Sequence, residues 1–214
     1  VADTAFYARY SFIRLLDARD TLTITDEEFF DEAAKVVFPE DRYRLPKDNA
    51  LLNELEQTII PRINADSLQL VRIIFRGAAS PDGPLKHNRQ LGQKRVESLS
   101  DFVISRLELP VADSLVTADA VIEDYPSLCL MMRRANDPDY ALVQDLCDRY
   151  LKDDDLRSLK KELREAKDSV LWRRLYRTYY PSLRTARFIM VLRKYEPKAE
   201  GIAGLQPLAP VQRS

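Results

Sequence analysis

The chain is poor in the residues that most metal sites and many active sites depend on. One histidine, His87, and two cysteines, Cys129 and Cys147, fall short of the four Cys or His ligands of a structural zinc site. Charge of one sign is missing as well: 33 Lys and Arg stand against 34 Asp and Glu, a net charge of −1. With no RNP, zinc-finger or basic-helix pattern either, the balance argues against nucleic acid as a partner. No apolar run approaches the roughly 20 residues that cross a bilayer, so no membrane span is expected. The longest, Phe188-Ile189-Met190-Val191-Leu192, has the length of a strand. Residues 1–4 lack the basic-then-apolar pattern of a signal peptide, so any export signal would have to precede Val1.

What remains is an ordinary globular composition, 45% hydrophobic and 31% charged over 214 residues, enough for one domain with an insertion. The two cysteines fit a single disulfide or two buried free thiols. Alternation over 5–16 predicts a strand. A short helix is expected over 26–34, capped by Thr25 and carrying Glu27 and Glu28 in its first turn. Residues 35–44 read as extended, with Pro39 marking an edge or bulge. Pro46 should open a helix bearing Leu51, Leu52, Leu55, Ile59 and Ile60, and Pro61 should disrupt its end.

Residues 68–76, LQLVRIIFR, carry the clearest strand pattern, stopped by Gly77. A turn-rich loop runs from Gly77 to Pro84, and an amphipathic helix follows from Leu85 to about Leu107. Another strand is expected over 115–120. Between Tyr125 and Tyr180, leucines and aromatics recur at helical spacing, which predicts three or four short helices inserted before a last strand over 185–195. The tail from 197 to 214 holds three prolines and two glycines and reads as a linker or loosely ordered end. The interleaving implies an α+β fold with helices packed on one mixed sheet. Its parts would be an N-terminal elaboration at 1–34, a main domain at 35–196 with its insertion at about 125–180, and the tail.

The helix from Leu85 contains an anomaly. At 100° per residue, Leu85, Leu91, Val96, Leu99, Phe102, Val103 and Leu107 form one apolar stripe. Asn88 and Arg95 project within that stripe, two turns or about 10 Å apart, with Gly92 between them. A guanidinium on an inner face requires charged or hydrogen-bonding partners. Two readings follow. Arg95 is a structural arginine tied to loop carbonyls or to a carboxylate such as Asp82, or it belongs to an anion site where the loop meets the helix N-terminus. Asn88 has the same two readings, as a residue that fixes the loop or as one that contacts a ligand.

The run Phe75-Arg-Gly-Ala-Ala-Ser-Pro-Asp-Gly-Pro-Leu-Lys-His-Asn-Arg-Gln-Leu-Gly-Gln-Lys-Arg-Val96 resembles the signature of OmpA-like C-terminal domains. Gly77, Gly83, Asn88, Leu91 and Arg95 fall at the family's spacing. The likeness spans about 37–107 and resumes at 180–188, similar to the family's arginine-bearing approach to its last strand. The insertion and the wording of the loop resemble a variant common in Bacteroidetes and associated with fimbrial or surface-protein gene clusters. The resemblance implies a β-α-β-α-β arrangement and a non-catalytic module on the periplasmic side of the outer membrane. It also implies binding to peptidoglycan, with a loop Asp and the helix Arg clasping the diaminopimelate of the stem peptide. That Arg corresponds to Arg95. The loop Asp corresponds to Ser80, and Asp82 is the nearest carboxylate that could substitute. The second family arginine is Arg184 or Arg187.

The ligand set so implied is Ala79, Ser80, Asp82, Asn88, Arg95, Arg184 and Arg187, with no cofactor and no metal. The alternative is a structural or assembly module of an envelope or fimbrial system. It has lost wall binding, as the serine at 80 suggests, and it meets protein partners through its insertion. An enzyme is the third reading, prompted by Ser80, Asp82 and His87. No G-x-S-x-G elbow accompanies them, and closeness in sequence is not triad geometry. The clusters at Asp153-Asp154-Asp155 and Glu27-Glu28 read as helix N-terminal charges rather than ligands.

Overall fold

A computed structural model describes residues 2–17 and 20–195. The fold is α+β, built on one open mixed sheet. After a helical turn α1 (Thr4–Tyr7) come β1 (Ile13–Leu16), α2 (Asp26–Glu32) and β2 (Ala34–Val37). The helices α3 (Ala50–Glu54) and α4 (Ile60–Ala65) lead into β3 (Leu68–Ala78), α5 (Leu85–Ile104) and β4 (Val116–Val121). Helices α6 (Tyr125–Arg134), α7 (Tyr140–Tyr150), α8 (Leu156–Glu165), α9 (Val170–Thr178) and the short α10 (Tyr180–Leu183) precede β5 (Thr185–Lys194). The tail 197–214 lies outside the described residues.

Strand β5 is the sheet's axis. Antiparallel β3 flanks it on one side and carries parallel β4 at its outer edge. On its other side β5 pairs with parallel β1 along its second half and with antiparallel β2 along its first. The segment before Ala34 therefore adds a strand to the same sheet. In β5 the side chains of Ala186, Phe188 and Met190 face α5, while Arg187, Ile189 and Val191 face the other way. In β3 a register shift between Leu70 and Arg72 inserts one residue, so that Leu68 and Leu70 end up on the same face as Ile73 and Phe75.

Three apolar clusters result. The largest joins that face of the sheet to α3, α4 and α5 through residues such as Leu55, Ile59, Val96, Leu99 and Val103. A second lies under α2 and contains Phe29, Ile74 and Ile189. The insertion has its own core, including Leu128, Met132, Leu146, Leu159, Leu163 and Leu175. Cys129 and Cys147 are buried free thiols in that core, with their sulfurs 3.4 Å apart.

Two expectations need correction. The strand over 5–16 shrinks to its last four residues. The spacing of Phe6 and Tyr10 suits a helical turn as well as a strand, and Asp3 caps that turn by accepting from the Phe6 amide at 3.2 Å. Nor does Pro61 end its helix. A wide turn over Leu55–Ile59, in which the Ile60 amide donates to the Leu55 carbonyl, resets the ladder ahead of the proline, and α4 continues to Ala65. That helix also begins later than Pro46, where Asn49 accepts from the Leu52 amide at 3.0 Å. The capping box at Thr25 and Glu28 is present as the sequence implies.

The seat of α5 depends on two glycines. A Cβ at Gly77 would lie 2.4 Å from the Gly92 carbonyl oxygen and 2.6 Å from the Val96 nitrogen, both backbone atoms. The helix thus touches β3 backbone to backbone, and that contact sets how deeply Arg95 enters the protein. Gly77→Ala is expected to lower the unfolding free energy by about 1–3 kcal/mol, the usual effect of overpacking, with the urea midpoint as the readout.

Candidate functional site

The polar site lies at the carboxyl end of β3, where the chain turns through 79–84 into α5. Burial dominates it. Arg95 is 0% exposed, Ala79 1%, Asn88 2% and Ser80 5%. Each nitrogen of the Arg95 side chain donates to a main-chain carbonyl: Nε to Arg42 at 2.8 Å, Nη1 to Ala78 at 2.8 Å and Nη2 to Pro39 at 3.2 Å. The Phe38 ring lies beneath the guanidinium, with its centroid 5.2 Å away. Desolvation, followed by repulsion from Arg184, pushes the Arg95 pKa down to about 10, opposed by Asp41 and Asp82.

Asn88 holds the loop from below. Its amide nitrogen lies 3.1 Å from the carbonyls of Ser80 and Gly83 and 2.7 Å from a Glu123 carboxylate oxygen. Arg184 reaches in from the start of β5. Its Nε donates to the Ser80 hydroxyl at 3.2 Å, and its Nη2 lies 3.4 Å from Glu40 and 3.7 Å from Asp82. Ser80 in turn donates to Asp82. Six of the seven residues inferred from the sequence therefore converge. Arg187 does not, because strand alternation turns it to the opposite face of the sheet, so Arg184 is the arginine at this loop. His87 is exposed and its Nε2 lies 2.8 Å from Asp41, while the Ser80 hydroxyl is bonded to Asp82 and Arg184 rather than to His87.

Sequence reasoning missed the residues that close the site. Glu123, 3% exposed, lies two residues beyond the end of β4. Parallel pairing of β3 with β4 brings the ends of both strands together, which delivers Glu123 to the loop. A carboxylate two residues past a strand was the available signal. Lys160 of α8 pairs with Glu123 and donates to the Gly83 carbonyl at 2.5 Å. The Tyr125 hydroxyl donates to Glu123 at 2.8 Å. Arg164 donates to the Asp82 carbonyl at 3.3 Å and stacks over Trp172 at 4.8 Å. From α9, the Tyr176 hydroxyl donates to Glu40 at 3.0 Å. The insertion thus clamps both the loop and the segment after β2. Beside the clamp a basic groove of about 910 Å³ is lined by Asp82, Lys86, Arg157, Lys161 and Arg164, among others.

Among the described residues no group of three or more His, Cys, Asp or Glu side chains is placed to hold a metal ion, and no helix is long and apolar enough to cross a membrane. Asp155 caps α8 by accepting from the Ser158 amide at 3.0 Å, and Glu27 pairs with Arg133 and Arg134. No protein-family model matches the chain, and no curated protein matches it.

Burial raises the Glu123 pKa, against the opposing pull of Lys160, Tyr125 and Asn88. A carboxyl raised on folding binds its proton more readily in the folded state, so its contribution to stability falls as pH climbs past the ordinary carboxylate value of about 4.3. Lys160→Met removes the compensating charge. The variant is expected to lose about 3 kcal/mol near neutral pH, and the deficit should shrink as the solution is acidified and Glu123 takes up a proton. Urea titrations of both proteins across that pH range test this.

Proposed function

We propose that the chain is a non-catalytic module of the cell envelope in which an OmpA-like loop and helix serve as scaffolding, while the helical insertion meets protein partners of an envelope or fimbrial assembly. The observation that carries this reading is Arg95. Its three nitrogens are bonded to three main-chain carbonyls and it has no exposed surface, so no guanidinium face is free for a stem-peptide carboxylate. The serine at 80 supports it, because a hydroxyl gives an ammonium ligand no charge-assisted bond. So does the clamp by Lys160 and Arg164 over the loop. The envelope setting, on the periplasmic side of the outer membrane, rests on the resemblance of 75–96 to the OmpA-like signature.

One observation favours the wall-binding alternative. The Asp82 side chain is 17% exposed and borders the basic groove, so a carboxylate is available next to the loop. Co-sedimentation with Gram-negative sacculi separates the two. The wild-type protein is expected to remain in the supernatant across salt and pH. Retention that Asp82→Ala abolishes would overturn the scaffolding reading and restore peptidoglycan as the ligand. In the same series Arg95→Met should act on stability, lowering it by about 3 kcal/mol or more because buried carbonyls lose their donors.

A further inference from the structure

The opposite face of the sheet carries an arrangement that neither the loop site nor the insertion explains. Strand register sets Lys35 of β2 directly across from Arg187 of β5, and Arg187 directly across from Arg76 of β3. Three cations therefore stand in a row across three neighbouring strands, although like charges placed opposite each other weaken a sheet. Arg76 is neutralised by Asp26 at 2.8 Å and lies over the Phe29 ring at 4.4 Å. Arg187 also lies over a ring, that of Phe30 at 4.5 Å, but no ion pair relieves it. It is only 5% exposed, and among the described residues no carboxylate lies within 4 Å of it. Its Nη1 donates to the Phe30 carbonyl at 3.3 Å, its Nε is buried without a partner, and its Nη2 makes no hydrogen bond to a described residue. Lys35, beside it, is held below its ordinary pKa by desolvation and by Arg187.

Arg187 lines a cavity of about 510 Å³ between the sheet, α2 and α6. Its walls are largely apolar: Phe29 and Phe30 from α2, Val121 from β4, and Pro126 and Leu130 from α6. Four acids also line it, and three of them are bonded to other groups. Asp26 holds Arg76, Glu27 holds Arg133 and Arg134, and Asp124 caps α6 by accepting from the Ser127 amide at 3.1 Å while favouring the Arg187 charge from beyond ion-pair distance. Asp119 is exposed. A buried guanidinium with unused donors, beside other cations in a chamber whose walls are largely apolar and whose acids do not bond to it, lacks an anion seated on it.

We propose that this cavity is a binding site for a small carboxylate with an apolar body, the carboxylate seated on Arg187 and the body packed among Phe29, Phe30 and Leu130. A single compact anion suits Arg187, since the other arginine of this cavity, Arg76, is already paired with Asp26. The apolar walls disfavour a ligand that is charged all round, such as phosphate. The site lies across the sheet from the Arg95 loop and does not depend on whether that loop binds peptidoglycan.

Calorimetric titration with hydrocinnamate tests it, with the neutral isostere hydrocinnamide and inorganic phosphate run beside it. The carboxylate is expected to bind, the amide and phosphate to bind at least about ten-fold more weakly, and Arg187→Met to weaken carboxylate binding by a similar factor. Leu130→Trp fills the chamber while leaving every charge in place, and it should block binding too, which decides the matter if Arg187→Met does not fold. Removing an unpaired buried charge should also leave the melting temperature of Arg187→Met no lower than that of the wild type. The proposal is overturned if hydrocinnamate fails to bind at millimolar concentration, if the amide binds as well as the acid, or if Leu130→Trp retains full affinity. Phosphate binding as tightly as hydrocinnamate would overturn the assignment of an apolar ligand.

Discussion

Burying Arg95 obliges the chain to bring carbonyl oxygens to it, and the three that arrive come from distant parts of the sequence. Pro39 and Arg42 belong to the segment after β2, and Ala78 ends β3. One side chain on α5 therefore ties the segment after β2, which lies outside the strand ladders, to the end of β3. The guanidinium can reach them because Gly77 and Gly92 let α5 approach β3 at backbone distance. A bulkier residue at Gly77 would push the helix outward and leave main-chain acceptors without donors in a water-free region, where each is expensive. The polar knot and the close helix–strand contact are one device seen from two sides.

The insertion extends that device. Its helices bury their own apolar faces in a separate core, so they do not need the sheet in order to fold over one another. What they add to the loop is electrostatic. Lys160 neutralises a carboxylate that Asn88 also holds, and Arg164 caps a loop carbonyl. The loop is consequently bonded from within by α5 and from outside by α8. A turn held from both sides has few open conformations.

Much of the architecture was readable from periodicity. The mixed sheet, the long helix with polar residues in its apolar stripe, the capped helix at Asp26 and the helical insertion all follow from spacing and capping residues. The failures have physical causes. Phe6 and Tyr10 match a helical turn and a strand equally well, and only the Asp3 cap decides between them. Pro61 breaks an α-helical ladder but not one already widened over Leu55–Ile59. Of the site, Asn88 and Arg95 were visible because they violate a pattern. Glu123 and Lys160 were not, since their meeting depends on which strands pair and on how the insertion folds back. Arg184 and Arg187 could not be told apart until strand register assigned them to opposite faces.

The placement of β5 has a consequence for assembly. It is the last of the described strands in chain order, yet it is the one to which β1, β2 and β3 are all hydrogen-bonded. As the polypeptide leaves the ribosome, β1 and β2 have no sheet to join until residues 185–194 emerge, with the insertion already formed or forming behind them. The nascent protein passes through an interval in which amphipathic strands wait with open edges. Such edges invite pairing with other chains, so synthesis of this molecule places an early demand on whatever shields them.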